Sequence, residues 1–124
     1  MAATVTILHA PFPLTPAERA QLVTNGMASL STDSFDPPPV VRLTSQALGT
    51  VWYLTEMDPF GSGDIAFGLC DQGDGCADLA CIDLDAITRA YDRSGFRTDP
   101  TFRASGPLSD YLARARRPLL RTAF

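Results

Sequence analysis

Residues 50–70 read TVWYLTEMDPFGSGDIAFGLC: a run of β-branched and aromatic side chains, a cluster of turn formers, and a second β-prone run. Thr50 to Met57 predicts a strand, Asp58-Pro59-Phe60-Gly61-Ser62-Gly63 is turn chemistry, and Ile65 to Cys70 returns as the partner strand of a hairpin. Strict alternation would place Val51, Tyr53, Thr55 and Met57 on one face and Trp52, Leu54, Glu56 and Asp58 on the other. The same grammar extends outward in both directions. Val40 to Thr44 predicts a strand joined to Thr50 by a turn at Gln46 to Gly49. Asp71 to Gly75 forms the next turn, and Asp78 to Ile82 a fourth strand. Connections this short join antiparallel neighbours, so the centre of the chain reads as a meander.

Helices flank it. Thr15-Pro16-Ala17-Glu18 combines an N-cap threonine, a proline at the first helical position and a glutamate placed to close a capping box. The helix is expected from Pro16 to about Val23, with Asn25-Gly26 as its stop and Leu22, Val23, Ala20 and Met27 as its apolar face. Ser29 to Pro39, with three consecutive prolines, reads as a loop. Asp83 to Tyr91 predicts a second helix ending at Gly95, and Phe96 to Arg103 an extended edge segment that tolerates Pro100. Pro107 to Arg116 predicts the last helix, with Leu108, Tyr111 and Leu112 in register and Pro118 as terminator. Residues 1–13 are expected to form an arm or short strand around Thr4 to Leu8, and residues 118–124 a tail. The expected fold is one α+β domain over 1–124: an antiparallel four-to-five-stranded meander sheet packed with about three helices.

A chain of 124 residues with 45% hydrophobic and 19% charged residues has room for one core. No apolar run approaches the roughly 18 to 20 residues that span a bilayer, and no basic region precedes the short apolar stretch at the start. A cytoplasmic protein with no membrane contact is expected. Three cysteines without an export signal predict free thiols. The net charge of −4 is unevenly spread. Glu56, Asp58, Asp64, Asp71, Asp74, Asp78, Asp83 and Asp85 follow one another without an intervening base. Arg93, Arg97, Arg103, Arg114, Arg116, Arg117 and Arg121 then dominate the C-terminal part.

Cys70, Cys76 and Cys81 lack the paired spacing of structural zinc sites, and His9 is the single imidazole. Cys70 and Cys81 are expected as small buried hydrophobes and Cys76 as an exposed thiol. Glu56 and Asp58, two apart on a strand, are a candidate acid/base or hard-metal pair, with Asp71 from the adjoining strand as a third ligand. Against that reading, acids at strand ends commonly cap turns, and an Asp- and Gly-rich turn explains residues 71–78 better than a calcium loop does. Phosphate-cradling, dinucleotide-binding and serine-hydrolase motifs are missing from the sequence. Trp52-Tyr53 reads as a core residue beside a surface-facing one. Arg114, Arg116 and Arg117 fall along a predicted helix end, but an acidic molecule repels polyanions, so direct nucleic-acid binding is not expected.

The runs VVRL (40–43), VWYLTEMDP (51–59), IAFGLCDQGDG (65–75), DLACIDLDAI (78–87) and PLSDYLARAR (107–116) resemble a bacterial domain-of-unknown-function family, number twenty-nine fifty-eight. The resemblance covers residues 14 to 113. It departs from the family pattern at Asp78-Leu79-Ala80-Cys81, where a Glu-Leu-Gly-Tyr is usual. It implies a short stand-alone protein of plasmids, integrative elements or phage-like islands, and no particular activity.

Charge pattern and resemblance together lead to the expectation of a non-enzymatic, protein-binding accessory protein of a mobile element. It would use no cofactor and present Glu56, Asp58, Asp71, Asp74 and Asp78 to a basic surface on a host protein. An inhibitor of a nucleic-acid-handling defence system, of anti-CRISPR or anti-restriction type, is the narrowest form of that expectation. The alternatives are a small metal-assisted or acid/base hydrolase using Glu56 and Asp58, and a homodimeric structural module joined through a strand edge and the C-terminal helix.

Overall fold

The computed structural model describes residues 14–61, 63–90 and 95–122; the arm expected over residues 1–13, with His9, lies outside them. Eight elements follow in the order α1 (Pro16–Ser29), β1 (Val41–Ser45), β2 (Thr50–Met57), β3 (Ile65–Asp71), β4 (Asp78–Asp83), α2 (Leu84–Ala90), β5 (Phe96–Thr98) and α3 (Leu108–Thr122). The strands form one five-stranded sheet in the order β4-β3-β2-β1-β5, with every neighbour antiparallel. This is the α+β meander that the turn spacing predicted, with β5 as one edge and β4 as the other.

The capping box at α1 is present: the Glu18 amide donates to Thr15 Oγ1 at 3.1 Å, and the Thr15 amide donates to Glu18 Oε1 at 2.9 Å. The expected stop at Asn25-Gly26 is not one. The helix runs through both residues to Ser29 because they are where it docks on the sheet. Asn25 Nδ2 donates to the Thr55 carbonyl at 2.9 Å, and Gly26 is buried against the backbone of Met57. The apolar face is narrower than expected: Leu22 is fully buried and Val23 packs behind it, whereas Ala20 and Met27 are exposed.

Strict alternation along β2 also fails at one place. Val51 pairs with Asp71 and Leu54 with Gly68, but Glu56 then pairs with Phe67, so the register shifts between Leu54 and Glu56. This β-bulge inserts one residue and turns everything beyond it to the opposite face. Trp52, Leu54 and Met57 therefore share one face, and form with Leu22, Val41, Leu43, Ile82, Leu84 and Phe96 the core under α1. Thr55, the extra residue, is fully buried and satisfies its hydroxyl by donating to the Phe67 carbonyl at 3.2 Å.

The other face of the sheet is covered by α3. Leu108, Tyr111, Leu112 and Ala115, the predicted i, i+3, i+4 stripe extended one turn, pack on Tyr53, Phe67, Leu69 and Ala77. Tyr53, Tyr111 and Phe102 form an aromatic triad with ring centroids 4.8 to 6.3 Å apart. The proline-rich loop pins the start of α3, since the Leu108 amide donates to the Pro37 carbonyl at 3.1 Å and the Ser109 amide to Asp36 Oδ1 at 3.0 Å. In place of the tail expected from residue 118, α3 continues past Pro118 to Thr122. A proline inside a helix removes one hydrogen bond and kinks the axis, and here it does not end the helix.

An ion pair ties α1 to the turn after β2. Arg19 donates through Nη1 and Nη2 to the two carboxylate oxygens of Asp64 at 2.7 and 3.1 Å. The Asp64 hydrogen bond raises the Arg19 pKa above its ordinary value, against the opposing effect of burial. With 32% of the Arg19 side chain and 14% of the Asp64 side chain exposed, the pair lies between a surface bridge and a fully desolvated one. Asp64→Asn is expected to cost about 1–2 kcal/mol, read as a lower urea midpoint at unchanged slope. A loss below about 0.3 kcal/mol would show the pair to be a surface ornament.

Candidate functional site

The bulge decides where Glu56 goes. Had the alternation held, its carboxylate would lie on the α1 face; with one residue inserted it faces the α3 side, beside Phe67. There it stands on the wall between two grooves. One, of about 270 Å³, runs between the last turn of α1 and the β2–β3 turn and includes Leu30, Phe60 and Cys81. The other, of about 300 Å³, lies between the proline-rich loop and α3 and includes Phe35, Leu79 and Leu112. Glu56 and Phe67 line both. Large apolar side chains are open to solvent around this wall: Phe60 is 73% exposed, Leu30 61% and Leu79 40%. Among the described residues Glu56 has no hydrogen-bond or ion-pair partner.

The other four acids singled out in the sequence are not gathered with it into one surface. Asp58 shares the first groove with Glu56, where its Oδ1 accepts the Phe60 amide at 2.9 Å. Asp71 stands opposite Val51, five residues before Glu56 on β2, so roughly 15 Å of strand separates the two carboxylates. It cannot be a third ligand beside Glu56 and Asp58. Its Oδ1 accepts the Gly73 amide at 2.8 Å, and Asp74 Oδ1 accepts the Cys76 amide at 2.9 Å. Asp78 Oδ1 accepts the Leu79 amide at 2.9 Å and pairs with Arg116 Nη2 at 3.2 Å. Four carboxylates thus hold turns or strand ends by satisfying backbone amides. The acidic run of the sequence becomes two clusters at opposite ends of the β2–β3 hairpin. Among the described residues no group of three or more His, Cys, Asp or Glu side chains is placed to hold a metal ion.

A separate cleft of about 290 Å³ includes Tyr53, Asp71, Tyr111 and Arg114. The Arg114 guanidinium lies 4.5 Å from the centroid of the Tyr111 ring, a cation–π contact that occupies one of the C-terminal arginines. Arg116 is occupied as well, by Asp78 and by the Ala77 carbonyl at 2.8 Å from its Nε. The Arg117 side chain lies outside the described residues. An unengaged arginine patch for phosphates is therefore not formed by Arg114 and Arg116.

Among the thiols, Cys76 is exposed as expected, and Cys70 is half-buried. Cys81 is exposed, contrary to the expectation of a buried residue, because β4 is an edge strand and α3 packs chiefly over β3. Burial pushes the Cys70 thiol up from its ordinary pKa; Asp71 and Asp74 add to this, and a hydrogen bond with Trp52 opposes it. A raised pKa leaves less thiolate at any given pH, and thiolate is the reactive form. Alkylation followed by peptide mass spectrometry is expected to label Cys76 and Cys81 first at neutral pH, with Cys70 catching up only as the solution becomes more alkaline. Equal rates for Cys70 and Cys76 at neutral pH would contradict this ordering.

The exposed apolar side chains around Glu56 were not legible from sequence, since Leu30 and Phe60 sit in segments that read simply as loop and turn. A five-stranded antiparallel sheet with α1 on one face and α3 on the other, and a solvent-facing apolar wall at one end, defines an α+β module. The profile of family DUF2958, described as a protein of unknown function, matches residues 13–118, and the chain belongs to that family. No curated protein and no solved structure matches it.

Proposed function

We propose that the protein is a non-enzymatic binding module that presents Glu56 and the grooves on either side of it to a partner protein with a basic, partly apolar surface. The observation that carries this reading is the Glu56 carboxylate, without a hydrogen-bond or ion-pair partner among the described residues, standing among exposed Phe60, Leu30 and Leu79. Solvent-facing apolar side chains clustered beside polar groups are what a protein interface exposes before it is covered. A carboxylate in such a setting selects a cationic partner and speeds its approach. Hydrolysis by Glu56 and Asp58 finds less support, because Asp58 is committed to its turn and Asp71 is remote.

Within this reading the partner is a host protein in the cytoplasm, and the protein is an accessory factor of a mobile element. A nucleic-acid-handling defence enzyme is the partner class that the acidic charge favours, because its nucleic-acid path is lined by arginine and lysine. The contact is local, since the carboxylates divide between two ends of the hairpin.

Affinity capture from a native host lysate after nuclease treatment tests the reading. Wild-type protein is expected to retain a stoichiometric host protein. Glu56→Lys and Phe60→Ser, both at solvent-accessible positions, are expected to reduce capture at least about tenfold, the equivalent of one well-placed contact, with unchanged circular dichroism. Empty capture by the wild type, or capture indifferent to both substitutions, would refute it.

A further inference from the structure

The edge of the sheet beside this wall carries backbone groups whose direction follows from the register. The Leu84 amide donates to the Asp64 carbonyl at 2.9 Å, and β4 pairs with β3 from Ile65 with Asp83 to Cys70 with Asp78. Antiparallel ladders alternate bonded and non-bonded pairs. Stepping by two from the bonded Asp64–Leu84 pair, Ile82, Ala80 and Asp78 exchange hydrogen bonds with β3. The amides and carbonyls of Leu79 and Cys81 and the amide of Asp83 therefore point away from the sheet. Two side-chain contacts agree with this parity: Arg116 Nε reaches the Ala77 carbonyl at 2.8 Å and Asp78 Oδ1 takes the Leu79 amide at 2.9 Å. These contacts blunt the first part of the edge, as protected edges usually are. Among the described residues nothing does so for the Leu79 carbonyl, the Cys81 amide and carbonyl, or the Asp83 amide.

The side chains beside this open edge belong to the same surface as Glu56. Leu79 and Cys81 are both exposed, and each lines one of the two grooves that Glu56 divides. Asp78 and Asp83 mark the two ends of the strand. A second copy of β4 laid against the first would gather the aspartates of both copies along one short seam, which like-charge repulsion opposes. Asp78 already pairs with Arg116 at 3.2 Å, and a segment bearing lysine or arginine would meet the charge of Asp83 instead.

Resting on the reading of the Glu56 wall as a protein-binding surface, we propose that β4 accepts an extended segment of the partner protein as a sixth strand of the five-stranded sheet. Main-chain hydrogen bonds to Leu79, Cys81 and Asp83 hold it. On the face that Leu79, Cys81 and Asp83 share with Glu56, its side chains are apolar beside Leu79 and Cys81 and basic beside Asp83.

The test uses the full chain and, as probe, an acetylated peptide with a valine-threonine-valine centre flanked on each side by two lysines, read by amide NMR. The Cys81 and Asp83 amide signals are expected to shift on titration, and exchange of the Cys81 amide to slow at least about tenfold. Two further peptides, N-methylated on one or the other alternate set of amides, keep the charge and side chains but remove the donors of one edge. One of the two is expected to lose at least about tenfold in affinity, the worth of a net hydrogen bond, and the other to bind as the parent does. Equal binding by both methylated peptides would mean adsorption by charge and would overturn strand addition, as would shifts that spare Leu79 to Asp83 or no binding at all. Those failures leave the Glu56 surface standing. Conversely, lysate capture that ignores Glu56→Lys, with strand pairing intact, would remove the surface reading and keep the edge competent.

Discussion

Gly68→Ala is expected to destabilise the protein by about 3 kcal/mol or more, at the upper end of what overpacking usually costs. Gly68 lies on β3 in the middle of the sheet, opposite Leu54 at the start of the bulge. A Cβ there would meet the Tyr53 carbonyl oxygen at 2.0 Å and the Leu54 Cα at 2.9 Å. Both are backbone atoms of a central strand, so no side chain can swing aside. Relief would require β2 and β3 to part at the place where the bulge brings them close, which would also disturb the buried Thr55 hydroxyl and its bond to Phe67. Urea unfolding should show the midpoint falling with little change in slope. Gly95→Ala serves as control, because nothing lies within 4 Å of a Cβ at that position, and its effect should stay within about 0.5 kcal/mol. A Gly68→Ala protein as stable as wild type would mean that the bulge is not rigidly held.

Gly26→Ala tests the same closeness from the helix side, and its sign is the informative part. In a solvent-exposed helix interior the change would stabilise by about 1 kcal/mol, because alanine loses less backbone entropy on folding. Here a Cβ would meet the Met57 carbonyl oxygen at 2.1 Å and Pro59 Cδ at 3.3 Å. To make room α1 would lift off β2 at the point where Asn25 bonds the Thr55 carbonyl and next to the buried Leu22. The steric cost outweighs the propensity gain, and a net loss of about 2–3 kcal/mol is expected. Thermal unfolding of the single mutant decides it: a raised Tm would show that the helix can shift freely on the sheet. Since the first groove lies along this contact, the same substitution should also reshape the wall beside Glu56.

The functional reading depends on that geometry as much as stability does. Glu56 faces the grooves because a residue is inserted at Thr55, Gly68 permits the insertion, and α1 packs over its consequence at Met57. The shape of the wall and the tightness of the sheet around the bulge are therefore linked.

Much of the architecture was legible locally. The capping box at Thr15, the turn formers between residues 58 and 64, the Asp- and Gly-rich turn after Asp71 and the spacing of Leu108, Tyr111 and Leu112 each depend on side chains only a few positions apart. Free exposure of Cys76 and the turn-holding role of Asp58, Asp71 and Asp74 belong to the same class, because an aspartate that accepts an amide two residues on needs no distant partner. The misreadings share a different cause. Asn25-Gly26 looked like a helix end because a glycine's use as a stop and its use as a contact surface have the same letters. Pro118 looked like a terminator for a similar reason. Alternation in β2 failed where two strands met in a shifted register.

The amino-acid sequence by itself determined the α+β class, the order of the elements, the antiparallel connectivity and the caps and turns, because these arise from backbone preferences and hydrogen bonds between near neighbours. Only the tertiary structure decided which face Glu56 occupies, that the acidic run splits between two ends of a hairpin, that Cys81 lies open on an edge strand, and that Leu30, Phe60 and Leu79 surround one wall. Each of these depends on which strand lies beside which, and on a register that a single inserted residue reverses.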